Sequence, residues 1–295
     1  MELRHLRYFL AVVEQGSVSR AAEQVLVAQP ALSRQIRRLE SELGFALFDR
    51  GTGRLMLTSA GRSFLPVARD LLARAATARE AATALATGQV SKLTVAAPVT
   101  TIADVVAPFV AGTCADDPMI TVQEVLPADA YAALHSGADL AVSSAPVPRH
   151  LATLGVARLP VLAYVPPSHP WIDRATISLA ELVTQPLLLL TAEHGTRRLL
   201  DHAVLRAGVR YHVSFETTGP QIAQALAAAG HGVAVVSDDP RYGLHPVSIQ
   251  GVEGQLRIAL HAAWDSSHYA APVIARLSRR LRDFCIARYG GSAAP

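Results

Sequence analysis

Several things are scarce in this 295-residue chain, and each scarcity removes a class of explanation. There are two cysteines, Cys114 and Cys285, in no CxxC pair and at no zinc-like spacing, so neither a metal finger nor a disulfide framework is expected. Both thiols read as free and buried. No uninterrupted apolar run approaches the roughly 18 residues of a membrane span. The brief apolar patch Tyr8–Val13 lies beside Glu14 and lacks a cleavage pattern, so no signal peptide or membrane partner is expected and a cytoplasmic location is. Lysine is almost missing: Lys92 is the only one, and every other basic residue among the 27 is arginine. Aromatics make up only 5 %. There is no GxSxG, HExxH, Walker or GxGxxG motif, so no catalytic residue, metal site or cofactor is assigned.

What is present is unevenly spread. Residues 1–90 hold twelve arginines and eight acids, a balance of +4; residues 91–295 hold fifteen basic residues and sixteen acids, a balance of −1. A basic head on a near-neutral body points to an anionic polymer as the head's partner.

In the head, Leu3, Leu6, Leu10 and Val13 recur at helical spacing and Gly16 ends the run. Ser17 is placed to cap a second helix carrying the stripe Val18, Ala22 and Val25. A third helix is expected from Pro30, since proline suits a first helical position. Its Leu32, Ile36, Leu39 and Leu43 turn inward, which leaves Pro30, Arg34, Arg37 and Ser41 pointing away, with Gln29 and Ser33 on the flank. Arginine matches guanine or phosphate in a forked geometry and glutamine can pair with adenine. This is the layout of a helix-turn-helix whose second member enters a major groove. "FALFDRGTGRLMLTSAG" then reads as two short strands around a Gly-Thr-Gly turn flanked by Arg50 and Arg54, a basic wing.

The order "AAE…L…QPALS.QI..LE.ELG..LF.R" through "LT.AG" resembles the N-terminal domain of LysR-type transcriptional regulators. The resemblance implies that Gln29, Pro30, Ser33 and Arg34 face bases or the adjoining backbone, and that Ser17, Arg20, Arg37, Arg50 and Arg54 mainly position phosphates. One residue departs from it: the family usually has serine or threonine where Ala28 stands, so a helix cap worth about 1 kcal/mol is missing.

From Ser59 to about Thr87 the chain reads as one helix of about 43 Å. Phe64, Ala68, Leu71, Ala75, Ala78, Ala82 and Leu85 form a heptad seam, which suggests pairing with a second copy, and Pro66 interrupts its early part. Similar regulators use this helix to bring two heads to a near-palindromic double-stranded DNA site as a homodimer or homotetramer, with RNA polymerase as a candidate further partner.

Beyond residue 90 strand and helix patterns alternate: "KLTVAAP", a helix from Thr101 to Val110, "MITVQEVL", "ADAYAALHSG" as a helix, "DLAVSS", then "VLAYVPP", "PLLLL", "GTRRLLDHAVLRAG", "YHVSFET", "PQIAQALAAAG" and "VAVVS". This argues for parallel α/β sheets. The chain crosses back near "LRIALHAAW", and a helix from Pro272 to Tyr289 completes the first lobe.

The expected architecture is α+β and multidomain: a winged helix-turn-helix over 1–58, a linker helix over 59–90, and a bilobed α/β, periplasmic-binding-protein-like effector domain over 91–295. Its first lobe would hold about 91–160 and 266–290, its second about 161–265. By the same resemblance a small-molecule effector, an anionic metabolite by default, sits between the lobes where strand ends and helix starts converge. Candidate groups are Thr100, Thr101, Pro127, Ala128, Gly195, Thr196, Thr218, Gly219 and Ser237. Taken singly, each also reads as a helix cap or strand end. Arg197 and Arg198 either add charge there or stay solvated, His194 and Asp201 read as a surface pair, and Asp238 and Asp239 read as a turn before Pro240. The reading is a ligand-responsive regulator; the alternatives are an architectural DNA binder without a ligand, or a metabolite-processing enzyme on a bilobed fold.

Overall fold

The computed structural model describes residues 1–49, 55–87 and 89–295. They fall into two compact units. Residues 1–89 build the first, to which 135–137 also belong, and the rest of 90–295 builds the second.

The first unit begins with α1 (Leu3–Gln15), α2 (Val18–Gln24) and α3 (Gln29–Leu43). Gly16 stops α1 in the left-handed region, at φ 59°, with its N–H donating to the Val12 carbonyl. Helix α3 starts one residue before the expected Pro30, with Ala28 at its cap position and no side chain capping it. Ser17 occupies the cap position of α2, but its side chain makes no capping bond, contrary to expectation. Leu6, Phe9, Leu32 and Leu39 are fully buried together. The wing strands are β1 (Phe48–Asp49) and β2 (Met56–Leu57), antiparallel; Arg50, Arg54 and the turn between them lie outside the described residues.

Helix α4 spans Ser59–Thr87, with Pro66 inside it. The "LTSAG" stretch that leads into it has a physical reason. The Thr58 hydroxyl donates to the Ala46 carbonyl at 2.7 Å and accepts from the Gly61 N–H at 2.9 Å. A Cβ on Gly61 would lie 2.2 Å from the Leu47 carbonyl oxygen, so only glycine lets α4 approach the wing. The seam divides. Ala68 is buried in the head core, and Phe64 and Leu71 pack against it, so this part serves its own chain. Ala78 and Ala82 remain exposed.

The second unit carries two sheets. After β3 (Lys92–Ala97) comes one helix in three pieces, α5 (Val99–Thr101), a π-helical stretch (Ile102–Val106) and α6 (Ala107–Val110). Then come β4 (Met119–Glu124), β5 (Leu140–Ser143), β6 (Ala152–Pro160), β7 (Leu162–Val165), β8 (Thr176–Ser178), α7 (Leu179–Leu182), β9 (Leu187–Leu190), α8 (Gly195–Ala207), β10 (Val213–Thr217), α9 (Pro220–Ala228), β11 (Val233–Val236), β12 (His245–Gly251), β13 (Gly254–Gln255), β14 (Arg257–Trp264) and α10 (Ala271–Tyr289). The stretch expected as the helix "ADAYAALHSG" is instead two short 3₁₀ turns, Pro127–Asp129 and Ala132–Ser136.

The first sheet has the order β4-β3-β5-β14-β6 and the second β10-β9-β11-β7-β12-β13, with β8 beside β12. Neither is wholly parallel. The strands reached through helices pair in parallel, while β14 runs antiparallel to β5 and β6, and β7 antiparallel to β11 and β12. The cause is that β6 and β14 carry the chain out to the second lobe and back, so they arrive without a crossover helix. They lie side by side, with Pro160 opposite Arg257 and the Val161 N–H donating to the Leu256 carbonyl at 2.8 Å. Strand β14, expected in the second lobe as part of 161–265, therefore belongs to the first. Each lobe has its own core. Val95, Val142, Ile274 and Leu281 stand in the first, and Val161, Ala163, Val165, Leu187 and Val247 in the second. Of the two cysteines, Cys285 is buried as expected, but Cys114 is exposed.

Candidate functional site

The polar face of α3 is assembled at its N-terminal end. Gln29, Pro30, Arg34 and Arg37 are exposed there, and Ser33 is half-buried. The Gln29 amide donates to the Ser33 hydroxyl at 3.2 Å, and Arg37 Nε donates to the Ser33 carbonyl at 3.4 Å. Among the described residues no carboxylate pairs with Arg20, Arg34 or Arg37, whereas Arg38, one residue on, is held by Glu42 at 3.1 Å. Glu40 is turned to the wing: its carboxylate accepts from the backbone N–H groups of Leu47 and Phe48, at 2.8 and 3.2 Å. Leu26, in the turn between α2 and α3, is exposed at a positive φ of 55°. Ser17 is half-buried, and Arg20 is exposed on α2.

In the second unit a cavity lies between the lobes. Its unfilled space, open mouth included, is about 620 Å³. The first lobe contributes Thr100, Thr101, Asp104, Pro127 and Ser144, and the second His194, Gly195, Thr196, Ser237 and Asp238. Six sequence candidates thus meet here: Thr100, Thr101, Pro127, Gly195, Thr196 and Ser237. The Thr196 and Ser237 hydroxyls are 3.5 Å apart. Gly195 opens α8 where there is little space: a Cβ there would stand 2.9 Å from the Ser144 hydroxyl and 2.8 Å from Ile258 Cδ1. The first residues of α8, Gly195 and Thr196, line the cavity, and no side chain caps the helix start, where the first N–H groups lack partners within the helix.

Three candidates are not in this cavity. Thr218 lines an adjoining hollow, which shares Pro98, Thr100, Pro127 and His194 with it. Ala128 is exposed beyond Pro127, because the 3₁₀ turn rotates it outward. Gly219 is the cap residue of α9, and its N–H is taken by the Thr217 hydroxyl at 3.1 Å. Arg197 is turned away as well. It bonds Asp201, the Tyr211 hydroxyl and the Leu190 carbonyl, and pairs with Glu216. Asp201 thus belongs to Arg197 rather than to His194, and Arg198 donates to the Glu193 carbonyl.

The residues that sequence reasoning missed are acidic. Asp104 sits on the π-helical stretch, a distortion frequent at functional sites. It accepts from Arg241 at 2.7 Å and from the Asp239 N–H at 3.2 Å, while Arg288 on α10 donates to Asp239 at 2.7 Å. These contacts fasten the two lobes together. Asp238 lies beside them, and burial, helped by the neighbouring Asp104 charge, pushes its carboxyl up to about 7. Burial also raises Asp104 and lowers His194. The only local signal for Asp238 was its place after Ser237, at the end of a buried strand.

Both units resemble known proteins. The model of the bacterial regulatory helix-turn-helix protein, lysR family, matches residues 3–62, and that of the LysR substrate binding domain matches residues 86–286. The uncharacterized HTH-type transcriptional regulator YnfL of Escherichia coli (strain K12) is 30 % identical over 262 residues, covering 86 % of this chain and 84 % of that protein. The crystal structure of CbnR, a LysR family transcriptional regulator, aligns with a TM-score of 0.76 at 24 % identity, covering 96 % of this chain and 99 % of that one. Full-length CbnR complexed with its target DNA aligns with a TM-score of 0.78 at the same identity and coverage. This chain belongs to the LysR family of DNA-binding transcriptional regulators, with an N-terminal helix-turn-helix and a C-terminal effector-binding domain.

Proposed function

We propose that the chain reads a near-palindromic operator through the start of α3 and adjusts that binding to a small molecule held between the lobes of its second unit. Gln29, Pro30, Ser33 and Arg34 meet base edges or the adjoining backbone; Ser17, Arg20, Arg37, Arg50 and Arg54 position phosphates. Base contacts set sequence choice, and phosphate contacts set affinity and register. The observation that carries this reading is Arg34: exposed, on the outer face of the helix, with no protein partner among the described residues.

The effector occupies the cavity lined by Thr100, Thr101, Pro127, Gly195, Thr196 and Ser237, with an acidic or acceptor-rich end at the start of α8. The chain works as a homodimer or homotetramer. Support comes from the exposed apolar side chains on one edge strand of each sheet, Met119 and Val122 on β4 and Phe215 on β10, and from the exposed alanines of the α4 seam. The protein performs no catalysis, and regulation is linkage: an effector that prefers one arrangement of the chain shifts the balance of arrangements. The test is footprinting of the DNA beside its own gene, with and without metabolite extract. Protection whose extent changes with extract is the expected result; no protected operator at low salt would refute the reading.

A further inference from the structure

The effector cavity has an acidic floor. Asp104 and Asp238 both line it, and among the described residues no arginine or lysine does. Asp104 is already engaged, by Arg241 and by the Asp239 N–H. Asp238 is not. It is only 7 % exposed and, among the described residues, forms no ion pair. A buried carboxyl in that position is costly unless something donates to it. The opposite requirement holds one residue away. Ser237, Thr196 and the start of α8 present hydroxyls and backbone N–H groups that favour an anion.

We infer that the cleft takes a small zwitterion of the amino-acid type, its ammonium group on Asp238 and its carboxylate on the Thr196–Ser237 hydroxyls and the start of α8. This rests on the reading of the cleft as the effector site and narrows the ligand class there. A simple carboxylic acid would leave Asp238 without a donor; a simple amine would leave the start of α8 without an acceptor. In this arrangement the two charged groups lie in the cavity and the side chain extends toward the adjoining hollow beside Glu124, Leu126 and Thr218.

The groups around Asp238 set the pH response. Asp104, Asp239 and Arg241 act on it directly, Tyr164 donates to its backbone carbonyl, Arg288 is paired with Asp239, and His194 and Tyr289 complete the titratable lining. With its carboxyl near 7, the anionic form that receives an ammonium grows as the pH rises from about 6 to about 8, so zwitterion affinity rises about tenfold over that range.

The experiment is calorimetric titration of the full chain with matched sets: α-amino acids, the same acids lacking the amine, and the same amines lacking the carboxylate. At least one amino acid is expected to bind about tenfold or more tightly than both of its truncated partners. Asp238→Asn, which keeps the shape of the side chain, is expected to erase the advantage over the des-amino acid and the pH slope together. Its unliganded melting curve shows whether it folds, and the wild-type pH slope stands without it. Equal or tighter binding by the des-amino acids, or an Asp238→Asn variant with the preference intact, overturns the proposal. Binding of a metabolite extract with no response to any amino acid also overturns it while leaving the sensor reading in place; no response to either sinks both.

Discussion

The two units use arginine in opposite ways. On the head, Arg20, Arg34 and Arg37 stand exposed without a carboxylate, among the described residues. In the body, Arg174, Arg197, Arg241, Arg280 and Arg288 are each paired with an acid of the same chain. Pairing is not absent from the head, where Arg4, Arg38 and Arg74 meet Glu2, Glu42 and Asp70, but the arginines on the exposed face of α2 and α3 lie outside it. The same residue type ties the lobes together at Asp104 and Asp239 and stands unpaired at the start of α3, and only the position of the acids tells the two uses apart.

The largest effect expected from breaking this contrast comes from the support beneath the head. Leu32→Ala removes a fully buried side chain from under the polar face of α3 and should destabilise the head by about 2–5 kcal/mol. Denaturant unfolding followed separately in the two units should show the body transition unmoved. Arg34→Ala comes next. It should cost about 1–3 kcal/mol at the cognate operator, roughly 5–150-fold in affinity, and much less at sequences altered at the base it reads. A uniform loss across operator variants, measured by titration, would assign Arg34 to phosphate instead.

In the body, Arg241→Gln withdraws the partner of Asp104 and should lower stability by about 1–2 kcal/mol, seen as a lower melting temperature of that unit. Asp238 supplies a pH test. Its carboxyl titrates near 7 in the folded body against an ordinary value of 3.8, so the stability it contributes is complete below about 4 and is lost as the pH rises through 7. Asp238→Asn should therefore raise the melting temperature at about pH 8 by a few degrees and leave it nearly unchanged at about pH 4. The smallest effect is the control: Arg38→Ala, whose charge is already met by Glu42 at the surface, should change stability by less than about 1 kcal/mol.

The contrast also explains what could be read from the sequence. Helices α1 and α3 and the first turns of α4 follow from local periodicity, since each buries one stripe and the stripe is written in consecutive turns. The motif residues Thr58 and Gly61 are legible for the same reason: their partners lie close by in the chain. In the body the information is spread out. "ATLGVARLP" carries Gly155 and Pro160 and has no clean alternation, yet forms the long strand β6 because β14, far along the chain, pairs with it throughout. The helix expected from "ADAYAALHSG" gives way to 3₁₀ turns, since Tyr131 is drawn in to donate to the Ala145 carbonyl. Asp238 was hidden by its own neighbours: Asp-Asp-Pro has the chemistry of a turn, and the charge that helps to raise its carboxyl is Asp104, which lies in the other lobe.

Helix α4 has one further consequence. Phe64, Ala68 and Leu71 close the hydrophobic interior beneath Leu6, Phe9 and Leu39. A fragment truncated at residue 58 would lack that lid and leave oily surface open to water, so the smallest self-sufficient DNA reader extends past Leu72. Whatever pulls on the first turns of the connecting rod pulls on the floor of the reading module as well.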